Sequence, residues 1–196
     1  MHRAADAGDA DAQSIMGDWA SIGEGGPVNH ELAFRMYEAA AKQRHPDSLV
    51  LAARQLLLGV GVEKANDKAF AYALEGYFRE GTDADIVLAT ASTMMTAADF
   101  DRARKMIAHR FGINLLLDIG QMFLNGEIVE KNAAEAMEWI ALGAAKGHAP
   151  AQLALAKAYA EGEGVALDLE SAAKWREAAM KAGGVSSAVW LAAYYD

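Results

Sequence analysis

The sequence has no cysteine, which excludes disulfide bridges and thiolate metal sites while leaving the compartment open. Proline is scarce, at three residues, so the strongest helix breaker is nearly absent. No apolar run approaches the roughly 18 residues a membrane-spanning helix needs, so no direct membrane insertion is expected. Dense clusters of basic residues are missing too. With 18 basic against 27 acidic residues the net charge is -9. Nothing resembles the basic stripe that replaces counterions on phosphate, so nucleic acid and anionic membrane surfaces are not expected partners.

Chemistry-bearing patterns are equally thin. The five histidines are scattered, and no two lie four apart with a glutamate on one helix face. There is no nucleophile-elbow pattern and no phosphate-cradling loop followed by Lys and Ser/Thr. Asp83 and Asp85 suit a helix start better than an acid/base pair. The expectation is no catalytic residue, no cofactor, no metal and no enzymatic activity.

What the sequence does contain is alanine and a period. Hydrophobic residues make up 53% of 196, enough for a real core, and abundant alanine favours closely packed helices. The clearest unit runs through Gly147, Ala151, Gln152, Leu155, Ala156, Tyr159, Gly162-Glu163-Gly164-Val165, Asp168, Ala172, Trp175, Ala179 and Gly183. Stepping back 36 residues meets Leu115, Ile119, Gly120, Phe123, Gly126, Val129, Asn132, Ala136, Trp139 and Gly147. Gly23-Glu24-Gly25 with Ala33 and Met36 is answered 36 residues later by Gly59-Val60-Gly61 with Ala69 and Tyr72. Two helices per period of this length predict stacked helical hairpins, an all-α fold.

Each position has a physical reason. The small residue (Gly17, Ala53, Ala89, Gly120, Ala156, Ala192) falls where the two helices of a hairpin touch. Glycines at the turn end the first helix. Asn29, Asn132 and Asp168 fall at N-caps, and Asn132 with Glu135 reads as a capping-box-like pair. Ala65 occupies the cap position of the second unit, so Asn66 or Asp67 must serve there. Tyr72, Trp139 and Trp175 are expected to fill gaps between hairpins. His45 and His148 share one repeat position, which predicts a structural role. The third unit, about 81–112, is degenerate: Met95 replaces the turn glycine, and Asp99-Phe100-Asp101-Arg102-Ala103 reads as a tighter turn. An irregular superhelical twist is expected around 95–112.

These residues, best preserved in the fifth unit, resemble the Sel1-like repeat family, a relative of the tetratricopeptide repeats, over nearly the whole chain. The resemblance implies a right-handed α/α superhelix, an α-solenoid, and a role as adaptor or scaffold in protein complexes. Many bacterial members act in the cell envelope, exopolysaccharide export and signalling, so a periplasmic or envelope location is favoured over the cytoplasm by resemblance alone. The chain reads as one domain, 1–196, of about five repeats and a partial sixth at Ser187, Leu191, Ala192 and Tyr195. Both ends fall within a repeat, which suggests a piece of a longer protein. Trp190 and Tyr194 near the end suggest self-association through an open terminal helix.

In tetratricopeptide-like solenoids the first helices line the concave face. Transferring that geometry gives one row of Ser14, Val50, Ile86, Leu117, Leu153 and Val189, a second of Ser21, Leu57, Thr93, Leu124 and Ala160, and beside them Asp18, Arg54, Thr90, Gln121 and Lys157. The candidate partner-binding residues are Val50, Arg54, Leu57, Ile86, Leu117, Gln121, Leu124, Leu153 and Lys157. Two readings stay open: a groove for a partner peptide or amphipathic helix, or packing between neighbouring first helices. The leading expectation is a protein-binding scaffold. A structural spacer or self-associating segment is one alternative. A ligand-binding or enzyme-like role is another, and it would need a closed pocket that the sequence does not offer.

Overall fold

The computed structural model describes residues 2–183. They form eleven helices and, among the described residues, no strand. In chain order these are α1 (His2–Asp6), α2 (Ala10–Ile22), α3 (His30–Lys42), α4 (Pro46–Leu58), α5 (Asn66–Tyr77), α6 (Ala84–Thr93), α7 (Ala97–Arg110), α8 (Ile113–Asn125), α9 (Ala133–Ala145), α10 (Ala149–Glu161) and α11 (Leu169–Gly183). One compact unit extends to Met106 and a second begins at Ile107. The expected first helix of a sixth repeat, with Val189, Trp190 and Tyr194, lies outside the described residues.

In the first unit α2 packs on α3, α4 on α5, and α5 on α6. Its centre is α5, buried without interruption from Ala69 to Gly76, as befits a helix with neighbours on all sides. Phe70 is fully buried and meets Phe100 edge to face, with centroids 5.5 Å apart. In the second unit α8 packs on α9, α9 on α10, and α10 on α11, around fully buried Leu116, Ile119, Trp139 and Ile140. Tyr72 and Trp139 are buried as expected, whereas Trp175 is half-buried.

Four hairpins are joined by turns of one design, residues 23–29, 59–65, 126–132 and 162–168. The glycine after the first helix is left-handed, and its N–H closes on the carbonyl four residues back, as Gly162 does on Ala158 at 2.8 Å. The last turn residue then returns its N–H nine residues: Asn29 to Ala20, Ala65 to Leu56, Asn132 to Phe123 and Asp168 to Tyr159, at 2.8–3.3 Å. Between them lies the contact that stacks one repeat on the next. The bare Cα of Gly61 sits under the His30 carbonyl, so close that a Cβ would lie 2.1 Å from the oxygen. Gly164 sits likewise under the Ala133 carbonyl, at 2.3 Å. Both carbonyls belong to the first residue of the preceding second helix.

The caps follow the expected residues with two corrections. Asn29 accepts the Leu32 N–H at 2.9 Å, Asn132 accepts that of Glu135 at 3.0 Å, and Asp168 accepts those of Glu170 and Ser171. The Asn132–Glu135 pair is not a reciprocal box, because the Asn132 N–H is taken by the Phe123 carbonyl. Where Ala65 cannot cap, Asp67 accepts the Lys68 N–H from inside the first turn at 2.8 Å, while Asn66 donates to the Met94 carbonyl at 3.0 Å.

The third unit departs at its turn, which shrinks to residues 94–96. The segment from Asp99 to Ala103 is helical rather than a turn. Asp99 instead completes a capping box: its carboxylate accepts the Thr96 N–H at 2.8 Å, and the Thr96 hydroxyl accepts the Asp99 N–H at 3.2 Å. Arg102 bridges this carboxylate to Asp67 on α5.

Candidate functional site

The first helices of the first unit, α2, α4 and α6, present one face each at helical spacing. On α2 the face carries Asp11, Ser14, Asp18 and Ile22; on α4, Asp47, Val50, Arg54 and Leu58. On α6 it carries Ile86, Thr90 and, at the cap, Met94, with Asp83 just before the helix. Ile22, Leu58, Ile86 and Met94 are 69%, 60%, 61% and 40% exposed. Val50 is 1% exposed and Leu57 5%, so both are spent on packing. The Val50 methyl Cγ2 fills the space a side chain at Gly76 or Gly81 would need. The outer apolar row is therefore Ile22, Leu58 and Met94, one residue beyond the expected Ser21, Leu57 and Thr93.

In the second unit the same face of α8 carries Leu117 and Leu124, half-buried, with Gln121 exposed between them. On α10 it carries Leu153 and Lys157, half-buried, with Lys157 Nζ 3.9 Å from Glu161. Its outermost positions are polar, Asn125 and Glu161.

Charge on the first unit's face is held in place by neighbours. Arg54 Nη2 lies 3.5 Å from Asp83. The Tyr37 hydroxyl donates to Asp18 at 2.8 Å, and burial first, then Asp18, pushes its pKa up to about 12, so it remains a neutral donor. The Thr82 backbone N–H donates to Asp47 at 2.8 Å and holds that carboxyl below its usual range. His45 heads α4: its Nδ1 accepts the Ser48 N–H at 3.2 Å, and Nε2 lies 3.3 Å from Asp11. His148 holds the same N-cap position on α10 but makes no side-chain cap hydrogen bond there. Asp83 and Asp85 stand at the start of α6. Among the described residues no three His, Cys, Asp or Glu side chains are grouped to hold a metal ion, and no helix is long and apolar enough to cross a membrane.

The arrangement offers contact surface. The family model of the Sel1 repeat matches residues 10–45, 48–76, 116–148 and 149–183. The chain belongs to the Sel1 repeat family. The matched Sel1 repeats coincide with the four hairpins that share one turn design, and the unmatched stretch between 76 and 116 holds the shortened unit. Sel1 repeat proteins generally act as protein–protein interaction scaffolds, and the fold is typically non-catalytic.

Among solved structures, a Sel1 repeat protein from Oxalobacter formigenes is 30% identical, with a TM-score of 0.45 over 98% of this chain and 58% of its own. The protective antigen c5321 of uropathogenic Escherichia coli, which displays an SLR fold, is 22% identical, with a TM-score of 0.46 over 95% of this chain and 41% of its own. Helicobacter pylori cysteine rich protein B is 19% identical, with a TM-score of 0.40 over 64% of this chain and 93% of its own. The chain thus spans about half the length of the first two relatives. No curated protein sequence matches it at a significant level.

Proposed function

We propose that this chain is an interaction scaffold or adaptor that holds a partner peptide or helix on the faces of its first helices. The observation that supports this reading most is the set of large apolar side chains left exposed there, Ile22, Leu58 and Met94 at the repeat spacing together with Ile86. Of the residues expected from sequence, Arg54, Ile86, Leu117, Gln121, Leu124, Leu153 and Lys157 keep solvent access, while Val50 and Leu57 support the face from beneath.

The test is affinity capture with the intact chain against Ile86→Asp and a Leu124→Asp/Leu153→Asp double variant, each checked for native helicity. A partner captured by the wild type and lost from a folded face variant supports the reading. A partner that every face variant retains moves the site elsewhere. The compartment we propose, a bacterial periplasm or envelope, rests on the habit of the family, and fractionation of the source cells tests it.

A further inference from the structure

Two rows of the first unit repeat at 36 residues and differ in chemistry. Asp11, Asp47 and Asp83 are exposed at the starts of α2, α4 and α6, and Ile22, Leu58 and Met94 are exposed at their ends. The rows lie on one face because residues seven and eleven apart on a helix share a side. Between them lie Asp18 and Thr90, with Ile86 exposed and Arg54 already turned towards Asp83. The second unit repeats neither row. Asn114 and Pro150 stand at the starts of α8 and α10, and Asn125 and Glu161 at their ends.

We propose that the first unit docks an amphipathic helix whose apolar stripe is flanked by lysine or arginine, laid across α2, α4 and α6. This rests on the scaffold reading above and names the chemistry of its partner. Charge complementarity selects the occupant. Within the acidic row the Thr82 N–H donates to Asp47 at 2.8 Å and holds that carboxyl below its usual range. Glu24 and Asp85 add exposed acid beside Ile22 and Ile86. Arg54 is the one cation in these columns, and it is matched by Asp83.

Dimensions agree. Eleven residues of helix separate the rows by about 16 Å. That width seats a helix of about 10–12 Å diameter on the apolar row and leaves the span of a lysine or arginine side chain to reach the acidic one. α4 packs on α6, and packed helices lie about 8–10 Å apart, so a partner helix crossing them meets the next rung after about five to seven residues.

The probes are three synthetic helices of about 20 residues with one leucine stripe, flanked by lysine, glutamine or glutamate, titrated against the intact chain by fluorescence anisotropy. The lysine helix should bind about tenfold more tightly than the glutamine helix, and the glutamate helix more weakly than both. Asp11→Asn/Asp47→Asn/Asp83→Asn should bring the lysine helix to the glutamine value. Glu127→Gln/Glu130→Gln/Glu163→Gln, which removes as much charge from the second unit, should change nothing. Ile22→Ser/Leu58→Ser/Met94→Ser should weaken all three helices about tenfold. If the asparagine variant loses its fold, raised salt on the wild type reads the same term, drawing the lysine and glutamine values together.

Equal binding of the three helices that still needs the apolar row would remove the basic partner and leave the scaffold reading. Equal loss in the second-unit variant would show charge attraction alone and overturn the proposal. Failure of all three to bind would overturn it as well. A wild-type dimer by sedimentation, dissociated by the serine variant, would assign the face to a second copy instead.

Discussion

The ring of Tyr37 closes over the bare Cα of Gly17, so that a Cβ there would lie 2.5 Å from ring carbon Cε1. The ring cannot swing aside, because its hydroxyl is held by Asp18 at 2.8 Å. Gly120 stands in the same relation to Ile140, with Cγ1 at 2.4 Å and the Ala136 carbonyl at 3.1 Å. Alanine favours a helix over glycine by about 1 kcal/mol, while overpacking costs about 1–3 kcal/mol. Gly17→Ala and Gly120→Ala should therefore destabilise, against helix propensity, in urea melts. A gain in midpoint for either would show that the hairpin relaxes freely.

The turn glycines supply an internal comparison. Gly25, Gly61 and Gly164 share a left-handed backbone, but a Cβ at Gly25 meets nothing within 4 Å. Gly25→Ala should cost only the left-handed penalty, about 1–2 kcal/mol. Gly61→Ala and Gly164→Ala add a backbone clash, for about 2–5 kcal/mol in all. Equal losses at the three positions would mean that the carbonyl contact carries no stacking energy.

Arg44 and Glu80 hold the left-handed position between repeats where Gly8 and Gly147 stand elsewhere. Glu80 is exposed, so Glu80→Gly should relieve strain and raise Tm by about 2–4 °C. Arg44→Gly should lower Tm, because Arg44 Nε lies 3.6 Å from the buried carboxylate of Glu75. Parallel shifts in the two variants would reject the distinction.

Acid should weaken the first unit through two carboxylates that accept backbone N–H groups. The Thr82 N–H holds Asp47, and the Thr96 N–H holds Asp99, below the ordinary value of 3.8. A depressed folded pKa gives stability that is present above the unfolded value and lost as pH falls through the folded one. Urea melts should thus show a loss beginning below about pH 4. Asp47→Asn and Asp99→Asn should each flatten it, and an unchanged slope would assign the acid sensitivity to other groups.

Replacing the cap itself reads the third turn. Thr96→Ala removes the hydroxyl that accepts the Asp99 N–H, and should cost about 1 kcal/mol. No measurable cost would leave the shortened turn held by the Asp99 carboxylate and Arg102 alone.

Features set by neighbours in sequence were legible before the fold was known. The 36-residue period, the caps at Asn29, Asn132 and Asp168, and the small residues at 17 and 120 all act within one hairpin. Features set by helix phase were not. Leu57 and Leu58 are the same residue type, and 100° of rotation sends one inward and leaves the other 60% exposed. The Asn132–Glu135 box failed for a reason outside its motif, since a carbonyl nine residues back claims the N–H it needed. The Thr96-x-x-Asp99 box was written in the sequence, but the likeness of Asp99–Ala103 to a tetratricopeptide turn masked it. The acidic row at 11, 47 and 83 also kept the period, but Asp83 was paired with Asp85 at a helix start and was not set against Asp47 and Asp11.

The glycine under a carbonyl has a consequence for how such chains change length. Gly61 touches a residue 31 positions earlier, as Gly164 does, and the bond that closes each turn looks back only nine. Neither reach exceeds one period. A block of 36 residues duplicated or excised by recombination leaves each turn facing the same neighbour, wherever the crossover falls. The contacts of each turn thus permit lengthening by whole copies, and the turn from 94 to 96 is where this chain departs from the repeated design.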